Sequence, residues 1–103
     1  MTQLLTDDAV QGALSDLQGW SRHGEAIERQ LRFRDFSSAL AFLVRVGIEA
    51  EKANHHPEIA NVYSRVTIRL TTHDAGGITE KDMDLAARID AIARDMQASD
   101  AGA

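Results

Sequence analysis

The sequence predicts an α+β fold in which helices cover one face of an antiparallel sheet. Two patterns support this. The segment 35–56 repeats apolar residues at three- and four-residue steps, as an amphipathic helix does, whereas the segment 62–71 alternates apolar and polar residues, as a half-buried strand does. The predicted order is helix, strand or hairpin, long helix, strand, helix. Each helix has one apolar stripe, and an antiparallel sheet with helices on one face would cover all of them.

The first predicted elements are a short helix and a strand or hairpin. Thr6 is a suitable N-cap, acids follow in the first turn, and the helix should end near Asp16. Gly19-Trp20 interrupts the pattern, and the segment 27–33 then alternates as a strand does. A turn near His23-Gly24 would divide this region into a hairpin.

The long central helix should begin after Asp35, a plausible N-cap, and end before Pro57. A residue that precedes proline is disfavoured in the helical region, so the helix should close between Asn54 and His56. We expect one unbroken strand from about residue 62 to 71, and then a turn over 74–77. A last helix opens at 78–82, and the segment 99–103 should be a frayed tail.

Length and composition exclude several classes of protein. The chain has 103 residues, which predicts one domain spanning 1–103 with an ordered core of about 4–97. The net charge of −5 disfavours nucleic acid as a ligand, and the absence of cysteine excludes disulfides and thiolate metal sites. No apolar signal stretch or membrane-length segment is present, so we expect a cytoplasmic protein without a membrane partner.

Three histidines are the main candidates for chemistry, because histidine titrates near neutral pH without help. His55 and His56 are adjacent at the predicted helix end, and His73 lies where the predicted strand becomes a turn. An even spacing from Tyr63 would place His73 on the same strand face as that tyrosine. Each histidine taken alone could be structural, and a zinc site built from all three is the principal alternative. Adjacent histidines seldom both face one ion, which disfavours zinc.

Other polar and aromatic residues have structural interpretations as well. Asp82 lies three residues after Thr79 and could simply complete a capping box. Glu51 could be a solvated helix residue, and Trp20 could pack in the core. His23, in a predicted turn, has no partner that the sequence identifies.

These residues together form a specific pattern. Its members are separated by fixed intervals: Glu51, three residues, His55-His56-Pro57, five residues, Tyr63, nine residues, His73, eight residues, Asp82. The pattern resembles the signature of the pterin-4a-carbinolamine dehydratase family, and the resemblance covers roughly residues 4–97. Flanking segments are also similar to the family: Gly19-Trp20, Arg34-Asp35-Phe36, Arg45-Val46 and Asn61-Val62-Tyr63.

The resemblance implies a four-stranded antiparallel sheet with helices on one side, and assembly into homodimers or homotetramers. It implies a lyase that dehydrates 4a-hydroxytetrahydrobiopterin, made by aromatic amino acid hydroxylases, to the quinonoid dihydropterin without a metal or organic cofactor. His55 and His73 would be the general acid and base in either order, and His56 would be a third catalytic residue that holds the pterin and shares in proton management. Trp20, Glu51 and Asp82 would contribute to substrate binding, with Asp82 orienting the loop that presents His73.

The sequence departs from the mammalian-type pattern of this family at three positions: Asn54 replaces Asp, Ala75 replaces Cys and Lys81 replaces Arg. None of these is a signature residue. Members of the family also act as dimerisation cofactors of homeodomain transcription factors, so a non-catalytic binding module is the alternative function. Three titratable histidines at these intervals favour the enzyme.

Overall fold

The computed structural model describes residues 2–101. Within this range the chain forms three α-helices, five β-strands and one short 3₁₀ turn. The helices are α1 (Asp7–Asp16), α2 (Phe36–Ala53) and α3 (Glu80–Asp95). The strands are β1 (Ser21–His23), β2 (Ala26–Arg32), β3 (Glu58–Val62), β4 (Arg65–Leu70) and β5 (Ser99–Asp100), and the 3₁₀ turn is His73–Ala75.

The sheet is antiparallel, with the order β1-β2-β4-β3 and with β5 added to the edge of β2. Its centre is the long pairing of β2 with β4, from Ile27↔Leu70 to Arg32↔Arg65. Alternate residues of these strands are buried against α2 and α3, where Phe42 and Ile89 are fully covered. The predicted α+β class, with helices packed on one sheet face, is therefore confirmed.

The ends of the helices follow the predicted caps. The Thr6 hydroxyl accepts a hydrogen bond from the Ala9 amide at 3.1 Å, and Asp35 accepts one from the Ser38 amide at 2.8 Å. Thr79 and Asp82 form a capping box at the start of α3. These contacts satisfy amide groups that have no partner inside a helix.

The predicted strand 62–71 is confirmed from Arg65 to Leu70, but its start is wrong, because the chain makes a tight turn at Tyr63 and Ser64. β3 ends at Val62, Tyr63 adopts a left-handed conformation with φ 58°, and β4 begins at Arg65. The Asn61 side-chain amide donates to the carbonyls of Tyr63 and Arg65 and so holds this turn. The even spacing of Val62 from Val66 hides the turn, although the polar Ser64 between them interrupts the alternation. Tyr63 and His73 therefore do not share a strand.

The predicted tail also forms structure, since Ser99 and Asp100 pair with Arg32 and Leu31 as strand β5. The Arg29 guanidinium holds the Asp100 carboxylate at 2.9 Å, which fixes the strand against β2. A strand of two residues has no periodicity that a sequence could reveal. The sheet thus has five strands rather than four. Gly102 and Ala103, which we expected to belong to the tail, lie outside the described residues.

The helices of residues 2–101 include none with the length and apolar character needed to cross a membrane.

Candidate active site

A buried histidine–carboxylate pair lies at the centre of the candidate site. His55 Nε2 is 2.6 Å from Asp82 Oδ1, and the His55 side chain is only 10% exposed while that of Asp82 is 0% exposed. A carboxylate only accepts hydrogen bonds when it is ionised, so Nε2 carries the proton in this pair. The bond fixes the orientation of the imidazole and leaves Nδ1 as the ring atom that can exchange a proton with a ligand.

The local sequence explains how His55 reaches this place. Asn54 ends α2 in a left-handed conformation with φ 50°, which asparagine tolerates better than most residues. The amides of Asn54 and His55 donate to the carbonyls of Glu51 and Ala50, as in a Schellman motif. The helix closes within the predicted interval, and His55 turns back toward the start of α3.

Asp82 is held from several sides. Its Oδ2 accepts hydrogen bonds from the Thr79 amide and the Thr72 hydroxyl, each at 2.9 Å. The capping box expected as the structural interpretation of Asp82 is therefore present, and the same carboxylate also orients His55. Because water cannot reach the Asp82 carboxylate, these hydrogen-bond donors stabilise its negative charge.

His56 forms a second histidine–carboxylate pair, in a very different environment. Its Nε2 is 2.6 Å from Glu51 Oε1, but the side chains are 58% and 78% exposed. Solvent competes for both groups, so this pair has little effect on stability. The structure thus brings Glu51 and His56 together at the surface, while it brings His55 and Asp82 together in the interior.

His73 begins the 3₁₀ turn and lines a cleft of about 200 Å³. Glu58 and Arg69, joined by an ion pair of 3.0 Å, line the same cleft. Glu58 is two residues after His56, so the segment that carries the histidine pair leads directly into a wall of the cleft. This ion pair was not predicted, because strand β3 was not expected over residues 58–62.

His55 and His56 contact different carboxylates, and His73 lines a cleft whose lining includes neither of them. In residues 2–101, no three His, Cys, Asp or Glu side chains come together in a way that could hold a metal ion. Nε2 of His55 and Nε2 of His56 each face a different carboxylate. The donor geometry therefore does not support the zinc alternative.

Trp20 lines the same cleft as His23 and not the cleft at His73. It is buried in the core, its Nε1 donates to Asp90 Oδ1 at 2.8 Å, and one edge lines a cleft of about 570 Å³. Among the described residues, the lining of this cleft shares no member with the lining of the cleft at His73. Tyr63 is 80% exposed at the β3–β4 turn. The structure supports a packing role for Trp20, and its contact with substrate stays a prediction.

Comparisons with known proteins agree with this fold. The sequence profile of the family described as pterin 4 alpha carbinolamine dehydratase matches residues 3–92. Relatives in Koribacter versatilis and Opitutus terrae, each provisionally named a pterin-4-alpha-carbinolamine dehydratase, are 49% and 50% identical. Each alignment covers 89% of this chain. The alignments cover 98% of the Koribacter relative and 96% of the Opitutus relative.

Two solved structures share the fold. A protein described as a transcriptional coactivator/pterin dehydratase from Brucella melitensis aligns with a TM-score of 0.84 at 43% identity, over 86% of this chain and 97% of its own. A pterin dehydratase-like protein described as a RuBisCO assembly factor in the alpha-carboxysome aligns with a TM-score of 0.64 at 26% identity, over 74% and 90%. The chain therefore falls in the class of proteins with the pterin dehydratase-like fold. Within that class, the chain belongs to the pterin-4-alpha-carbinolamine dehydratase family.

Proposed function

We propose that this protein converts 4a-hydroxytetrahydropterins to quinonoid dihydropterins and water by histidine acid–base catalysis. The observation that carries the proposal is the buried bond of 2.6 Å between His55 Nε2 and Asp82 Oδ1. It leaves Nδ1 of His55 available in a fixed orientation, and it occurs in a chain whose family profile matches residues 3–92. A positioned group of this kind is what a proton-transfer reaction requires.

The elimination needs two proton transfers. One histidine delivers a proton to the 4a-hydroxyl as the C4a–O bond breaks and water leaves, and the other takes the proton from N5 as the C4a–N5 double bond forms. His55, through Nδ1, and His73 are the two groups we assign, in either order. The general acid ends the reaction deprotonated and the general base ends it protonated. Proton exchange with solvent then returns both histidines to their starting states. The proposed steps require neither a metal nor an organic cofactor.

His56 and Glu51 form the solvent-facing part of the proposed site. Because their pair is exposed, either group can turn to a polar edge of the pterin at little cost. The substrate would come from an aromatic amino acid hydroxylase reaction, which places the protein in tetrahydrobiopterin recycling. Asp82 would act on the substrate indirectly, by holding His55.

The direct test is to supply the purified protein with a 4a-hydroxytetrahydropterin, generated by a hydroxylase, and to follow its loss in the presence of a metal chelator. We expect a rate well above the spontaneous dehydration in the same buffer, and the same rate with and without the chelator. Loss of substrate at the spontaneous rate would contradict the proposed activity. Inhibition by the chelator would instead favour the metal alternative.

We also propose that the protein forms a homodimer or homotetramer through helix α2. Its exposed large apolar residues recur every four positions and form one stripe: Phe36, Leu40, Val44 and Ile48. An apolar stripe along a helix is unfavourable in water and is covered when copies associate. Light scattering should give a particle mass that is two or four times the 11.3 kDa mass of one chain. The substitution Val44→Glu should lower this particle mass. A monomer mass for the unaltered chain at micromolar concentration would contradict this proposal.

A binding module is the second candidate function, and the same stripe of α2 favours it. The Brucella protein is described as a transcriptional coactivator as well as a pterin dehydratase. A partner helix could cover the stripe in place of a second copy. This function needs no histidine, so variants of His55 and Val44 should separate the two activities if both exist.

A further inference from the structure

We infer that Thr72 is a positioning residue that links the two proposed catalytic histidines, its side chain acting on His55 through Asp82 and its backbone organising the turn of His73. The inference rests on the proposed function only for its effect on turnover. Its effect on the ring of His55 can be measured without a substrate.

The side chain of Thr72 belongs to a buried chain of hydrogen bonds. Thr72 is 5% exposed, and its hydroxyl lies 2.9 Å from Asp82 Oδ2 and 2.7 Å from the Thr79 hydroxyl. An ionised carboxylate can only accept, so Thr72 uses its single hydroxyl hydrogen on Asp82. The Thr79 hydroxyl must then donate to Thr72, while it accepts from the Lys81 amide. The order of donors is fixed from Thr79 to Thr72 to Asp82.

The orientation of the Asp82 carboxylate in turn fixes the orientation of the His55 ring. With Oδ2 held by the Thr72 hydroxyl and the Thr79 amide, the carboxylate cannot rotate, and Oδ1 stays 2.6 Å from Nε2 of His55. The ring therefore keeps its proton on Nε2 and presents Nδ1. Without the Thr72 hydroxyl, a fully buried oxygen loses one of its donors, which leaves the carboxylate freer to turn.

The backbone of Thr72 holds the other histidine. Its carbonyl accepts hydrogen bonds from the amides of Ala75, Gly76 and Gly77, and its amide donates to the Gly77 carbonyl at 2.9 Å. These bonds close the turn that begins at His73. One residue therefore fixes the turn of His73 with its main chain and the carboxylate partner of His55 with its side chain.

The test compares Thr72→Val, which replaces the hydroxyl by a methyl group of similar size, with Thr72→Ser, which keeps the hydroxyl. Thr67→Val on β4 is the matched control, because it makes the same change on the preceding strand away from Asp82. Nitrogen NMR of the histidine rings reports which nitrogen of His55 is protonated. Turnover per folded molecule reports the effect on catalysis.

We expect Thr72→Val to convert His55 from the Nε2-protonated form to a mixture of tautomers and to lower kcat/KM by about 10-fold, the scale of one lost hydrogen bond to a charged group. Thr72→Ser should restore both, and the signals of His23 should not change in any variant. An unchanged His55 spectrum in folded Thr72→Val would overturn the inference, as would a serine variant that fails to restore it. If the unaltered protein has no dehydratase activity, the proposed function fails, and the spectra alone decide the role of Thr72.

Discussion

Replacing Asp82 with asparagine should separate the chemistry of His55 from the stability of the fold. The amide oxygen can take the place of Oδ2 and accept from Thr72 and Thr79, whose donors lie at 2.9 Å. The amide nitrogen then faces Nε2 of His55, where it donates instead of accepting. His55 must move its proton to Nδ1, so the atom that should exchange protons with the substrate is blocked.

The structure gives the expected magnitudes. Three hydrogen bonds to a charged carboxylate become neutral ones, and a negative charge is lost from the first turn of α3, which together should lower the free energy of unfolding by about 2–4 kcal/mol. Turnover should fall by about 10²-fold or more, the range for loss of a proton-transfer group. Stability would be measured by urea unfolding, and turnover by loss of the 4a-hydroxytetrahydropterin.

Asp90→Asn is the matched control. Asp90 is also buried on α3, but it accepts from Trp20 and Arg29 rather than from a histidine. This variant should lose stability with little effect on turnover. If Asp82→Asn is folded and turns over substrate within about twofold of the unaltered protein, the assignment of His55 Nδ1 is refuted, since acid–base catalysis is worth far more than that.

Two further predictions concern the fold. Gly19→Ala should lower the free energy of unfolding by about 1–3 kcal/mol, because the backbone has φ 94° and an added Cβ would lie 2.9 Å from Nε of Arg29; equal stability in urea would contradict this. The hydrogen bonds from Ser38 hold the pKa of the Asp35 carboxyl below its ordinary value of 3.8. A carboxyl whose pKa is lower in the folded state stabilises the fold at pH values above its pKa in the unfolded state. This stabilisation is lost as the pH falls through its pKa in the folded state. The stability of the unaltered chain relative to Asp35→Asn should therefore fall on acidification below about pH 3.8, and a pH-independent difference would be evidence against the cap.

The sequence predicts the helices well because their signals are local. Thr6, Asp35 and Thr79 accept hydrogen bonds from amides within the first turn that each precedes, so residue type and position suffice. The end of α2 follows from Pro57 to within a residue, although the group that closes it is Asn54 in a left-handed conformation. The sheet is harder to predict. Strand β5 depends on a partner strand distant in the chain, and the Tyr63 turn, although nearby Asn61 holds it, contains no glycine or proline to mark it.

The candidate site is predicted only in part for the same reason. The spacing identifies His55, His56 and His73, but it cannot show that His55 is buried against Asp82 while His56 is exposed beside Glu51. Thr72 was missed because a threonine after a strand has no pattern of its own, and its importance arises from a contact across the fold. The resemblance to a family supplies the substrate, and the structure supplies the atom of His55 that would act on it.

The most direct test of the acid–base site is the turnover of His55→Ala and His73→Ala, measured on the same 4a-hydroxytetrahydropterin as the unaltered protein. We predict that each variant is folded and slower by about 10²-fold or more, as for loss of a general acid or base. His23→Ala is the control, because His23 contacts Ser21 on β1 and belongs to neither histidine–carboxylate pair. Unchanged turnover in both His55→Ala and His73→Ala would contradict the mechanism.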